Sequence, residues 1–92
     1  MTKINLTTKI HGGVTDEDEI RFIAADWAEA MVDSAEEEGK LDQLAAECLR
    51  QYPSTVAWAV GYCKDYLSSS DITDIIRYTI MQETAEANGV RD

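Results

Sequence analysis

Apolar residues recur at every third or fourth position along most of the chain, a spacing that favours amphipathic helices over strands. The clearest repeat predicts a first helix that Thr15 or Asp16 caps and that ends before Gly39. The apolar residues of this helix share one stripe: Ile20, Ile23, Ala24, Trp27, Met31 and Ala35. We therefore expect the stripe to face the core.

A second and a third helix are predicted on either side of Pro53. The second covers about residues 41–52, because the residue before a proline avoids the α region. Ser54 is expected to cap the third helix, which reaches about Leu67. Its apolar residues cover more than half of the circumference: Val56, Ala59, Val60, Tyr62, Cys63, Tyr66 and Leu67. The third helix is therefore predicted to be the most buried.

A fourth helix is predicted after the serine loop 68–70. It is expected to start at Ser70 or Asp71 and to close at Asn88-Gly89, a sequence typical of helix C-termini. Its predicted core edge consists of Ile72, Ile75, Ile76, Thr79 and Ile80. The pattern therefore predicts an all-α fold, a compact bundle of about four helices in residues 15–92.

The first fourteen residues have a different pattern. Residues 3–10 alternate between apolar or β-branched and polar side chains, with Ile4, Leu6, Thr8 and Ile10 on one side, as in a strand. A lone strand cannot satisfy its own backbone hydrogen bonds. We expect residues 1–14 to be an N-terminal extended arm packed on its own helices, or a single β-strand that pairs with a second copy or with another protein.

The length of the chain limits the number of domains. Ninety-two residues suffice for one small core, so residues 1–92 are assigned to a single domain. No apolar run approaches the ~18 residues of a membrane span, and no signal-like segment opens the sequence, so we expect a cytoplasmic protein. Cys48 and Cys63 fall on predicted buried faces and are expected to be reduced core residues.

Charge is concentrated in the first helix. The chain has a net charge of −10, and the segment Asp16–Glu38 holds ten carboxylates against one cation, Arg21, which gives −10 + 1 = −9. Most of the acids lie opposite the apolar stripe, and Phe22 lies among them, either as an exposed interface residue or as part of a second buried edge of a wide helix. Like charges three or four residues apart on a helix repel one another, so the pattern invites a functional explanation.

Catalytic and metal-binding signatures are not found in the sequence. The single histidine, His11, stands beside Gly12-Gly13 in an expected flexible turn, and no nucleophile has a recognisable setting around it. There is no Cys-x-x-Cys, no histidine pair, no calcium loop and no Gly-rich phosphate loop. We therefore expect a protein that is not an enzyme and that has no cofactor and no metal.

The acidic face predicts a binding site for another protein. The residues expected to form it are Glu19, Phe22, Asp26, Glu29, Asp33, Glu36 and Glu37. Carboxylates at such spacing rise by about 4.5–6 Å between neighbours, an imperfect imitation of a row of nucleic-acid phosphates. We expect a basic partner that itself binds nucleic acid, and no direct contact with nucleic acid or membrane. The alternative is a solvated surface without a partner.

The acidic segment Asp16–Glu38, in a small and mostly helical chain, resembles phage and mobile-element inhibitors of bacterial defence of the anti-CRISPR and antirestriction type. The resemblance covers about a quarter of the chain and rests on no specific motif, so no residue roles are carried over. It implies a non-enzymatic inhibitor of a host defence protein that acts in the host cytoplasm. The last third of the chain has a nearly ordinary charge balance, which favours a local acidic docking face over mimicry by the whole molecule.

A second hypothesis is a helical homo-oligomer with a structural or small-molecule-sequestering role. In this hypothesis residues 3–10 and the apolar edge of the third helix form the interface between copies, and the acids are solvated surface. The two hypotheses are compatible, because a dimer would double the acidic surface.

Overall fold

The computed structural model describes residues 4–90 of the chain. These residues form four α-helices: α1 (Glu17–Glu37), α2 (Leu41–Gln51), α3 (Pro53–Tyr66) and α4 (Ile72–Ala87). The predicted all-α bundle of four helices is confirmed for this part of the chain. Residues 1–3 and 91–92, including Lys3 of the alternating pattern, lie outside the described residues.

Both ends of α1 lie where the sequence predicts them. Oδ1 of Asp16 accepts a 3.1 Å hydrogen bond from the backbone N–H of Glu19, so Asp16 is the N-cap. At the other end Gly39 has a φ of +69°, in the left-handed region that glycine adopts without strain. The N–H of Lys40 then donates to the carbonyl of Ala35 over 2.8 Å and closes the helix.

The ends of α4 are also those predicted. Oδ1 of Asp71 accepts hydrogen bonds from the hydroxyl (2.6 Å) and from the backbone N–H (2.8 Å) of Thr73, and these two bonds lower the pKa of the Asp71 carboxyl. After Asn88, the N–H of Val90 donates to the carbonyl of Ala85 over 3.0 Å. Val90 is buried, so the end of the helix is fixed by packing as well as by hydrogen bonds.

The junction between α2 and α3 corrects the predicted start of the third helix. The sequence predicts Ser54 as its N-cap, but the observed N-cap is Tyr52, two residues earlier, and α3 begins at Pro53. Proline suits the first helical position because it has no N–H to leave unpaired and its φ is already helical. Tyr52 alone separates the two helices, with φ −134° and ψ 60°, outside the α region as expected before a proline.

The fourth helix, rather than the third, is the most buried. α4 packs against each of the other three helices, whereas α1 and α3 have no pair of Cα atoms within 8 Å. In α3, Ala59 and Cys63 are buried, but Val60 and Tyr66 are exposed. The prediction that the third helix is the most buried is wrong, because periodicity identifies an apolar face but not the helix around which the others pack.

The core-facing stripe of α1 is centred on small residues. Its buried members are Ile20, Ala24, Ala28, Val32 and Ala35, whereas Trp27 and Met31 pack at the edge. Ala28 and Val32 share a cluster with Ile76 and Ile80 of α4, and Ala24 shares one with Ala85. Because alanine side chains allow close approach, α1 is packed firmly on α4 along most of its length.

The N-terminal segment, residues 4–10, crosses the bundle without strand pairing to any described residue. Leu6 is buried in the main core cluster. Four hydrogen bonds join the backbone of the segment to helix side chains: Gln51 Nε2 to the Ile4 carbonyl (2.9 Å), Trp27 Nε1 to the Leu6 carbonyl (3.0 Å), Asn88 Nδ2 to the Thr8 carbonyl (2.9 Å), and the Ile10 N–H to Asn88 Oδ1 (2.8 Å). Side chains of α1, α2 and the end of α4 thus replace the neighbouring strand.

Candidate functional site

The acidic face is a continuous exposed strip on α1. All seven residues assigned to it from the sequence are exposed: Glu19, Phe22, Asp26, Glu29, Asp33, Glu36 and Glu37. From Glu19 to Glu37 the helix rises by eighteen residues, or about 27 Å at 1.5 Å per residue. Because the opposite side of α1 is packed on α4, the strip cannot turn towards the core.

Carboxylates on this strip repel one another. Like charges three or four residues apart on a helix destabilise it by roughly 0.2–0.5 kcal/mol per pair, and less as salt screens them. Ion pairs within the described residues join Lys40 to Glu38 (3.7 Å), Arg77 to Asp74 (2.8 Å) and Arg50 to Glu47. None of these three pairs uses a carboxylate of the acidic face.

Phe22 is the one apolar residue among the seven that form the strip. It is 69% exposed although it lies between two carboxylates of the strip, those of Glu19 and Asp26. The sequence left open whether Phe22 is an interface residue or part of a second buried edge, and the structure places it on the solvent side. Aromatic side chains exposed among charges are typical of the central contacts of protein interfaces.

An open groove borders the acidic face on one side. It has a volume of about 320 Å³ and lies between α1, the start of α2 and Ile4. Its walls are mostly apolar, with Trp27, Met31 and Leu44 among them. At its rim Glu38 accepts a 3.2 Å hydrogen bond from Ser34 and pairs with Lys40. Sequence reasoning missed this groove, because its shape depends on how α2 leaves α1.

The aromatic residues of α3 form a row rather than a core. Trp58 and Tyr62 have ring centroids 5.4 Å apart, Tyr62 and Tyr66 5.1 Å apart, and Tyr62 and Tyr78 of α4 5.0 Å apart. Trp58 and Tyr66 are exposed at the ends of the row. Burial raises the pKa of the Tyr78 hydroxyl, with the neighbouring Tyr62 as the second cause. The row of aromatic rings forms one flank of α3.

The other flank of α3 borders an apolar groove of about 210 Å³ that also touches α2 and α4. We name it the α2–α3–α4 groove; its lining residues are Ala45, Cys48, Leu49, Val56, Val60, Ile72, Ile75, Ile76 and Thr79. Before the fold was known, the surplus of apolar residues in the third helix was the one sign of this groove.

The two cysteine thiols are not activated as nucleophiles. Burial, with the adjacent Glu47 carboxylate as a smaller cause, raises the pKa of the Cys48 thiol to about 12, and burial also raises that of Cys63. Both thiols are free and stay protonated at neutral pH. His11 is exposed in an irregular stretch. Within residues 4–90 no three His, Cys, Asp or Glu side chains come together as a metal site.

None of the four helices in the described part of the chain is both long and apolar enough to span a membrane. Comparisons with protein-family models, with curated proteins and with solved structures each found no match.

Proposed function

We propose that this chain is a non-enzymatic binding protein that docks the acidic face of α1 on a basic surface of another protein. The single observation that supports this proposal best is the 69% exposure of Phe22 within a row of six carboxylates. A face that served solubility alone would need the carboxylates but would gain nothing from an exposed aromatic ring.

The charges define the chemistry of the partner. A strip about 27 Å long with a carboxylate at nearly every turn fits a cleft lined by lysine and arginine, which is the kind of surface that binds nucleic-acid phosphates. Asp26, Glu29 and Asp33 lie near the middle of the strip and would be the most desolvated on binding. Association would be fast and would weaken with salt, because long-range attraction steers the encounter.

The proposed outcome of docking is inhibition. A host defence protein whose nucleic-acid site is occupied by the acidic face cannot bind its nucleic acid. The resemblance to small acidic phage inhibitors supports this class of outcome, as does the concentration of charge on one helix. The rigid packing of α1 on α4 supports it further, because a preorganised strip loses little conformational freedom on binding.

The test is a charge reversal with a matched control. Tagged protein is used to capture partners from bacterial lysate at low salt, followed by elution in a salt gradient and identification by mass spectrometry. Glu29→Lys with Asp33→Lys should abolish capture of a defined nucleic-acid-binding protein, with the circular dichroism spectrum unchanged.

The control makes the same change in net charge elsewhere. Asp65→Lys with Glu86→Lys reverses two exposed carboxylates on α3 and α4 and should leave capture intact. Equal loss in both double variants would mean that net charge alone is responsible. Unchanged capture by the α1 variant would exclude this face as the site.

A further inference from the structure

The α2–α3–α4 groove has an apolar rim as well as an apolar floor. Leu49, Val60 and Ile72, one from each helix, are 57%, 43% and 42% exposed and surround a groove whose floor includes the buried Cys48 and Ile76. Exposed aliphatic side chains gathered around one concavity, rather than scattered over the surface, are typical of a contact surface.

This surface lies away from the charge of the molecule. The floor residues Cys48 and Ile76 share a core cluster with the buried Ala28 and Val32 of α1, so this core lies between the groove and the acidic face on the outer side of α1. The stripe of α2 that contains Ala45 and Leu49 continues to Asp42, three residues before Ala45, and the stripe of α3 that contains Val60 continues to Lys64, four residues after it. Asp71, beside Ile72, is turned back on the start of α4.

We propose that the α2–α3–α4 groove is the interface of a homodimer with two-fold symmetry. A two-fold contact needs one surface that is complementary to itself. This surface offers both parts: the groove as the concave part, and Leu49 or Val60 as the side chain that enters the groove of the second copy. Lys64 of one copy can then meet Asp42 of the other.

A second copy can contact the groove at a small electrostatic cost, with Lys64 and Asp42 as complementary charges beside it. Two molecules of net charge −10 repel one another, and the repulsion is smallest when the −9 segments Asp16–Glu38 point apart. Contact through the groove produces this arrangement, since α1 then lies on the outer side of each copy. A strongly basic partner would instead be attracted to the acidic face.

Residues 4–10 are less suited to join two copies. The carbonyls of Ile4, Leu6 and Thr8 already accept hydrogen bonds from helix side chains of the same chain. Pairing with a second strand would require these bonds to break first. We therefore place the interface between copies at the groove rather than at this segment.

The proposal is tested by molar mass in solution, measured by light scattering and sedimentation velocity over a wide range of concentration. The expected result is a dimer that dissociates on dilution. Leu49→Lys should weaken dimerisation by at least about tenfold, which corresponds to 1.4 kcal/mol, while its helical circular dichroism is unchanged. The wild-type protein as a monomer at all concentrations, or an unweakened Leu49→Lys dimer, would overturn the proposal.

Two comparisons separate this interface from the acidic docking face. Phe22→Lys changes an equally exposed apolar residue on α1 and should leave the dimer intact; a monomer here would move the interface to α1 and overturn the proposal. Added salt should strengthen the dimer, since it screens the repulsion between copies, whereas it should weaken docking on a basic partner. A dimer that dissociates as salt rises would contradict an apolar interface.

Discussion

The indole N–H of Trp27 donates a 3.0 Å hydrogen bond to the backbone carbonyl of Leu6. This bond attaches the N-terminal segment to the helix that carries the acidic face. Leu6 is 1% exposed and Trp27 is half-buried, so water has little access to replace the bond. The indole therefore has two roles: its ring packs at the edge of the core, and its N–H holds a segment that has no neighbouring strand.

Trp27→Phe tests the contribution of this bond. The variant keeps an aromatic ring but removes the donor and leaves the Leu6 carbonyl without its indole partner, so the free energy of unfolding should fall by about 1–2 kcal/mol. Urea denaturation followed by circular dichroism measures the change. Trp58→Phe is the control, because its ring is partly exposed and its replacement should cost less. Equal losses in the two variants would contradict a specific role for the Trp27 N–H.

Asn88 binds the N-terminal segment at two points. Its Nδ2 atom donates to the carbonyls of Thr8 and Thr84, and its Oδ1 atom accepts from the N–H of Ile10. Asn88→Ala should lower the free energy of unfolding by about 2 kcal/mol, because roughly 1 kcal/mol is expected for each bond and the site is partly solvated. Amide hydrogen exchange at Ile10 should become faster than in the wild type. Unchanged exchange at Ile10 would show that the bond does not persist in solution.

Phe22→Ala separates binding from folding. The ring is 69% exposed, so its removal should change the free energy of unfolding by less than about 0.5 kcal/mol. Affinity for the basic partner should fall by roughly tenfold or more if Phe22 is a central interface contact. The affinity is measured by titration calorimetry with the captured partner. An unchanged affinity would mean that the carboxylates alone form the binding site.

Stability at alkaline pH should report the buried thiol of Cys48. Its pKa in the folded protein is about 12, above the ordinary 9.0, so folding favours the protonated form. The stabilisation is complete below about pH 9 and is lost as pH rises towards about 12, by no more than about 4 kcal/mol. Stability falls with rising pH because the Cys48 thiol loses its proton at a lower pH in the unfolded chain than in the folded protein.

Cys48→Ala should reduce this alkaline slope. Cys63, Tyr52 and Tyr78 also have raised pKa values and contribute their own fall, so the informative quantity is the difference in slope between the two proteins. Urea denaturation at a series of pH values gives both curves. Parallel curves would mean that the Cys48 thiol ionises as readily in the folded protein as in the unfolded chain.

The sequence predicts those parts of the fold that local chemistry determines. Asp16, Gly39 and Asp71 act at helix ends through their own side chains or backbone freedom; the sequence predicted Gly39 outright and named Asp16 and Asp71 each as one of two candidate caps. Pro53 shows the limit of such reasoning, since it can end one helix or begin the next, and it begins α3. The choice depends on the angle between α2 and α3, which no short window of sequence contains.

Burial and grooves depend on arrangement in space. Val60 was assigned to a buried face because apolar residues surround it in sequence, yet α4, rather than α3, lies at the centre. The residues of the acidic face were predictable because exposure follows from charge. The exposure of Phe22 could not be predicted in this way, because an aromatic residue is compatible with either side of a wide helix.

The four bonds that hold residues 4–10 also determine how the molecule would respond to a pulling force. They lie one after another along the segment, at Ile4, Leu6, Thr8 and Ile10, and each is made by a single side chain. Force applied upstream of Ile4 would load them in turn, as in a zipper, rather than together, as in a sheared sheet. The segment would therefore detach one contact at a time, with Leu6 leaving the core on the way, while α1 and its acidic face stayed packed on α4.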